Sequence, residues 1–166
     1  TLANSVEDSD GVYFVPSFAG LGAPHWNQKA QGTIFGLTRG STDAHIARAT
    51  LDAIAYQSMD ILKAMEADSE ISIKELRVDG GATVNNTLMQ FQSDVLNTKT
   101  VRPKVVETTA MGAAFLAGLA VGFWESEKEI QEIWQIDEEF QPKKDRKQIN
   151  ENIKGWYKAI SALEFW

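Results

Sequence analysis

The chain has 166 residues, 43% of them hydrophobic, and its 16 basic against 23 acidic side chains give a net charge of −7. This length is enough for one domain with a buried core, and the acidic balance argues against nucleic acid or an anionic membrane as a partner. The sequence contains no cysteine, which excludes disulfides and a thiolate site.

The first part of the chain predicts two strands and a long helix. Residues 12–15 and 32–37 are rich in β-branched and aromatic side chains, and a loop of turn-forming residues separates them. Thr42 and Asp43 offer a cap and a negative charge for the first turn of a helix. The helix is predicted to run to about residue 67, with its apolar side formed by Ile46, Ala49, Ala53, Ile54, Ile61, Leu62 and Met65.

A strand–helix–strand unit is predicted next. A strand-like run beginning near Ile73 ends at Asp79, and a second short strand covers residues 99–102. The helix between them, over residues 84–96, places Val84, Leu88, Phe91 and Val95 on one inward face. Because a helical crossover joins the strands, we expect them to pair in parallel, with the strand that ends at Asp79 in the interior of the sheet.

The last part of the chain predicts three more helices. Residues 107–122 form a helix of small residues that we expect to be buried, because Gly112, Ala113, Ala114, Ala117 and Gly118 allow close backbone approach. Its apolar run, residues 110–124, is too short to span a bilayer.

Ser126 and Glu129 fit a capping box for a short helix. The mixed-charge residues 137–147 predict a surface connection. A final amphipathic helix over residues 145–163 carries Ile149, Ile153, Tyr157, Ile160 and Leu163 inward.

The pair Gly80-Gly81 stands where the strand passes into the helix. Two adjacent glycines permit a positive φ and remove both Cβ atoms, so that a flat ligand can lie against the backbone. The following helix N-terminus favours a phosphate-bearing ligand. When the Gly-Gly pair is taken alone, a tight turn without a ligand is the favoured interpretation.

No catalytic or metal-binding arrangement is evident in this chain. His25 and His45 lie on different predicted elements, and no carboxylate stands at metal-ligand spacing to either. The basic residues 143–147 predict a solvated helix start, because Asp145 interrupts them in an acidic protein. The sequence also lacks a Walker-type loop and a dinucleotide fingerprint.

Two segments at fixed spacing identify a family. Residues 32–37 followed by residues 45–52 resemble the second signature of the FGGY carbohydrate kinases. The flanking segments are similar to the glycerol kinase branch of that family; they are residues 11–16, 20–24, 77–82, 85–86, 88–92, 107–110 and 112–124. The departures are Thr83-Val84 in place of a small apolar pair and His25 where Tyr is common.

The resemblance implies an α/β domain of the ribonuclease H-like, actin-like ATPase type. It further implies that residues 1–166 form the C-terminal nucleotide-binding lobe, the N-terminal substrate and catalytic lobe being absent from this chain. Gly81 and Asn85 match positions that hold ATP or ADP, and Gly80 completes the turn. Asp79 is expected to stabilise that turn rather than to act as a base.

By the same resemblance, the full-length protein would transfer a phosphoryl group from ATP to glycerol with Mg²⁺, whose ligands lie mainly outside this chain. Catalytic and glycerol-contacting residues would precede it, so we expect the 166-residue chain to be inactive alone. A homo-oligomeric, cytoplasmic enzyme without a membrane anchor is implied. Two alternatives stay open: the same lobe of a pentulose or gluconate kinase, and a stand-alone, non-catalytic actin-like binding module.

Overall fold

The computed structural model describes residues 1–165. Its α-helices are α1 (Asp43–Ser69), α2 (Asn86–Leu96), α3 (Thr108–Ala120), α4 (Glu127–Ile133) and α5 (Arg146–Ala162). Its strands are β1 (Tyr13–Val15), β2 (Thr33–Phe35), β3 (Glu75–Arg77), β4 (Lys99–Pro103) and β5 (Ile136–Phe140). Short 3₁₀ turns cover Leu2–Asn4, Gly81–Val84 and Leu163–Phe165.

The strands form two small sheets in the described part of the chain. β1 and β2 pair antiparallel, and β3, β4 and β5 form a mixed sheet with β4 in the middle. β3 runs parallel to β4, with Leu76 opposite Thr100, which confirms the predicted strand–helix–strand unit. The prediction of an interior position for the first of these strands is wrong, because within residues 1–165 β3 is an edge strand. β4 takes the interior place, and its residues from Thr100 to Pro103 are all buried.

The prediction of an irregular connection over residues 137–147 is also wrong for residues 137–140, which belong to β5. Three consecutive acidic residues hide the strand pattern, because their charges are paired across the sheet. Glu139 lies 3.1 Å from Lys99 Nζ, and Phe140 at the end of the strand is buried. Residue 145 is the N-cap of α5, and its carboxylate accepts from the Lys147 N–H, which agrees with the predicted solvated helix start.

The core lies where α1, α2 and α5 meet. Tyr56 of α1 stacks on Trp156 of α5 at 5.1 Å between ring centroids and meets Phe91 of α2 edge-on at 5.4 Å. The predicted face of α2 is confirmed for Leu88, Phe91 and Val95 but not for Val84, which precedes the helix and is 66% exposed. In α5, Trp156 is fully buried while the predicted Tyr157 is partly exposed.

Helix α1 was predicted over residues 43–67 and ends two residues later, at Ser69. Its N-cap is Thr42, whose backbone N–H donates to His45 Nδ1 at 3.1 Å. The predicted apolar side is only partly correct, because Ile54, Ile61 and Met65 are exposed. The buried side instead carries a charged pair, in which Arg48 Nε donates a hydrogen bond to Asp52 Oδ1 at 2.9 Å.

Helix α3 lies on the surface of the described structure, contrary to the prediction that it is buried. Within residues 1–165, Gly118 is its only buried residue, and it lies under the Trp124 ring rather than against another backbone. Leu116 is 72% exposed. A helix that is apolar on every side does not indicate which face is covered, so periodicity could not place it. The helix ends at Ala120, two residues before the predicted end, and Gly122 follows it at φ +73°.

Candidate functional site

The Gly80-Gly81 turn lies at the carboxyl end of β3, beside the turn that follows β4. Gly80 has φ +86°, a left-handed conformation that side chains disfavour, and its N–H donates to Val106 O at 2.8 Å. Gly81 begins the 3₁₀ turn and does not need a left-handed backbone. The two glycines therefore differ: Gly80 is required by the turn, whereas Gly81 leaves space.

That space is open. A Cβ built at Gly80 or at Gly81 would have no atom of the described residues, outside the adjoining ones, within 4 Å. Gly81 is exposed and Gly80 half-buried, so the bare backbone of the turn faces solvent. A ligand can approach this backbone closely, and a side chain at position 81 would project into the volume such a ligand needs.

Asn85 is the N-cap of α2. Its side-chain Oδ1 accepts hydrogen bonds from the N–H groups of Thr87 at 3.1 Å and Leu88 at 3.2 Å. The expectation that this helix end presents free N–H groups to a phosphate is therefore wrong for these two donors. What Asn85 still offers is its amide NH₂ group, for which residues 1–165 provide no hydrogen-bond acceptor.

Asp79 ties the two neighbouring turns together. The Thr108 hydroxyl at the start of α3 donates to the Asp79 carboxylate, and the Gly80–Val106 backbone bond runs alongside it. Turns at the carboxyl ends of adjacent parallel strands meet at one edge of the sheet, where open α/β sheets bind ligands. The contact gives Asp79 the turn-stabilising role predicted for it.

Sequence reasoning missed Arg102 of β4, the buried side chain behind this turn. Its guanidinium reaches both Thr83 O and the Asn86 side chain. Arg102 has no local sequence signal, because its hydrogen-bond partners lie 16 to 36 positions away.

The two histidines have structural roles in the described chain. His25 Nε2 lies 2.9 Å from Asp60 Oδ2, which also accepts from the Trp156 indole N–H at 2.8 Å. His45 accepts from the backbone at the start of α1. Among residues 1–165, no group of three or more His, Asp or Glu side chains is arranged to hold a metal ion. No helix there combines the length and apolar character of a membrane span.

Known proteins resemble this chain over its whole length. Glycerol kinase of Paraburkholderia phytofirmans is 62% identical over 166 residues, which are 100% of this chain and 33% of that protein. Glycerol kinase of Chromobacterium violaceum is 62% identical over 165 residues, which are 99% of this chain and 33% of that protein. The chain thus spans about a third of the length of the curated relatives it matches.

Solved structures agree with the fold. Plasmodium falciparum glycerol kinase with ADP superposes with a TM-score of 0.87 at 38% identity, covering 98% of this chain and 32% of that one. Xylulose kinase from Lactobacillus acidophilus superposes with a TM-score of 0.80 at 24% identity, covering 98% of this chain and 34% of that one. At this identity the likeness is one of fold alone. The predicted fold class, an actin-like α/β domain, is confirmed by these neighbours.

The family described as "FGGY family of carbohydrate kinases, C-terminal domain" matches residues 1–121. This is well over half of the 166 residues, and it includes both signature segments and the Gly80-Gly81 turn. The chain belongs to the FGGY family of carbohydrate kinases.

Proposed function

We propose that this chain is the C-terminal nucleotide-binding lobe of a glycerol kinase, which uses ATP to phosphorylate glycerol to glycerol 3-phosphate. The observation that carries the proposal is the 62% identity to a glycerol kinase across all 166 residues. Since the chain spans a third of that relative, we assign the acceptor site and the catalytic base to the part that precedes it.

In this proposal the adenosine part of ATP or ADP lies on the Gly80-Gly81 turn. The support is the exposed backbone and the open volume at both glycine Cα atoms. The Asn85 amide NH₂ group, left over from helix capping, would donate to an acceptor on the nucleotide. The bound ADP of the Plasmodium falciparum neighbour supports the assignment of a nucleotide to this fold.

Phosphoryl transfer depends mainly on positioning and on charge stabilisation of the transferring group. The contribution of this lobe is to hold the nucleotide at its adenosine end, so that the γ-phosphate is presented to the other lobe. Mg²⁺ would neutralise the phosphates there. Residues 1–165 offer no carboxylate cluster for the ion, and we place its ligands mainly outside this chain.

Steady-state assays of the full-length protein test the proposal. ATP consumption and glycerol 3-phosphate formation are measured with glycerol, and parallel reactions contain xylulose or gluconate as acceptor. We expect turnover with glycerol to exceed turnover with the other acceptors by orders of magnitude. Preference for xylulose or gluconate would make the protein a sibling sugar kinase, and no ATP use with any acceptor would overturn the kinase assignment.

A further inference from the structure

The side chain of Arg102 contacts the segment that follows the Gly80-Gly81 turn. It lies on β4 and is 8% exposed. Its Nη1 donates to Thr83 O at 2.7 Å and to Asn86 Oδ1 at 2.8 Å. These two acceptors lie on either side of Asn85 in the chain, so that one nitrogen fixes the backbone path through the capping residue.

The other edge of the guanidinium is fixed by β5. Arg102 Nε donates to Asp137 Oδ2 at 2.8 Å, and Nη2 donates to Glu138 Oε2 at 2.9 Å. The guanidinium carbon also lies 5.5 Å from the Phe140 ring centroid. A planar cation with donors on both edges suits this bridging position, and a lysine ammonium could not make all four contacts at once.

Thr83 connects Arg102 to the Gly80-Gly81 turn. Its N–H and its hydroxyl both donate to Gly80 O, at 3.1 and 2.7 Å. Arg102 is therefore linked through the Thr83 peptide to Gly80, and through Asn86 to the start of α2. A turn that contains two glycines has few side chains of its own to restrain it.

We propose that Arg102 is a positioning residue for nucleotide binding: it keeps Gly81 and Asn85 in the geometry that accepts the adenosine part of ATP. This inference rests on the proposed function of the turn. A site that binds through backbone and one amide gains affinity from being held in place before the ligand arrives. The loss of Arg102 should therefore raise the KM for ATP selectively.

The test uses the full-length enzyme with Arg102→Lys and Asn86→Ala, alone and combined. Arg102→Lys retains the charge next to Asp137 and Glu138, and Asn86→Ala changes an exposed residue at the first helical position. We expect each variant to raise the KM for ATP by about tenfold and the KM for glycerol by less than about twofold. In the double-mutant cycle the two effects should be non-additive, since Asn86 acts through Arg102.

Lys99→Ala is the matched control. Lys99 lies on the same strand and makes cross-strand ion pairs with Glu75 and Glu139 at 2.6 and 3.1 Å, away from the turn. Its loss should leave the KM for ATP unchanged even where the melting temperature falls. Additive effects would mean that Asn86 and Arg102 act on ATP binding independently, and this would overturn the positioning of the turn by Arg102 through Asn86.

The outcomes also separate this inference from the proposed function. If the wild-type enzyme phosphorylates glycerol and Gly81→Val raises its KM for ATP, the site assignment stands. An unchanged KM for ATP in Arg102→Lys and Asn86→Ala would then overturn the role of Arg102 alone. If Gly81→Val leaves the KM for ATP unchanged, the nucleotide assignment of the turn fails first.

Discussion

Thr108 donates a hydrogen bond to the carboxylate of Asp79, and this contact joins the turns that follow β3 and β4. Next to it, the Gly80 N–H donates to Val106 O at 2.8 Å. The geometry of the glycine turn therefore depends on the start of α3, a helix in which Gly118 is the only buried residue among those that the structure describes.

The first prediction concerns this contact. Thr108→Val keeps the shape of the side chain but removes its hydroxyl, and the exposed hydrogen bond is expected to contribute about 0.5–1.5 kcal/mol. The amide of Gly80 should then exchange with solvent roughly two- to tenfold faster. Hydrogen exchange followed by NMR measures this rate, with Thr108→Ser as the control that retains the hydroxyl. Unchanged exchange at Gly80 would show that the two turns are independent.

Asn85 is predicted to have two separable roles. Asn85→Ala removes the cap of α2, which should cost about 0.5–2 kcal/mol of stability, and also removes the amide NH₂ group. Asn85→Ser retains an oxygen for the Thr87 and Leu88 N–H groups, so its stability should stay near that of the wild type. Both variants of the full-length enzyme should raise the KM for ATP by roughly two- to tenfold, which corresponds to the loss of one hydrogen bond worth ~0.5–1.5 kcal/mol.

Thermal denaturation and steady-state kinetics of the same preparations separate these effects. If Asn85→Ser has both wild-type stability and a wild-type KM for ATP, Asn85 is a helix cap and not a nucleotide contact.

Asp52 is predicted to give the stability a pH dependence. Burial raises its pKa from 3.8 to about 6, although the neighbouring Arg48 acts in the opposite direction. The folded chain then binds this proton more tightly than the unfolded chain. The contribution of Asp52 to stability is therefore full below about pH 4 and is lost as the pH rises through 6. The size of the effect is roughly 3 kcal/mol.

The carboxyl ¹³C shift of Asp52 should titrate with a midpoint near 6. Asp52→Asn should remove the corresponding part of the pH dependence in denaturant unfolding between pH 4 and 7. A midpoint at or below the ordinary value for aspartate would contradict this prediction.

The isolated 166-residue chain is predicted to fold but not to phosphorylate glycerol or hydrolyse ATP at an enzymatic rate. Phosphate and Mg²⁺ contacts are assigned to the preceding lobe, and each charge-assisted hydrogen bond lost costs ~1.5–3 kcal/mol. A micromolar site would thereby become roughly millimolar or weaker. An ATP titration followed by amide shifts near Gly81 measures the affinity. Micromolar binding would mean that the phosphate-binding residues lie within this chain.

Local signals in the sequence were sufficient for the elements around the turn. Gly-Gly after a strand-like run, followed by a face of apolar residues at helical spacing, predicted β3, α2 and the parallel pairing with β4. The capping role of Asn85 had a signal as well, since asparagine before a helix is a preferred N-cap, but the helix was predicted to start one residue earlier than Asn85.

Other features depend on contacts that are distant in sequence. The strand β5 was missed because its acidic residues pair with Lys99 and Arg102 of the neighbouring strand, so no apolar alternation is visible. The buried side of α1 was misjudged because Arg48 and Asp52 satisfy each other inside the core. Arg102 itself could be recognised only once Thr83 and Asn86 were seen to converge on it.

The most direct test of the nucleotide turn is the kinetics of Gly81→Val in the full-length enzyme. A valine at position 81 fills the open volume beside the backbone, so we expect the KM for ATP to rise by at least about tenfold, corresponding to 1.4 kcal/mol, while the KM for glycerol stays nearly constant. Gly22→Val is the control, because a Cβ there also meets no atom of the described residues beyond the adjoining ones within 4 Å. A change in the KM for glycerol with an unchanged KM for ATP would contradict the assignment of the Gly80-Gly81 turn to the nucleotide.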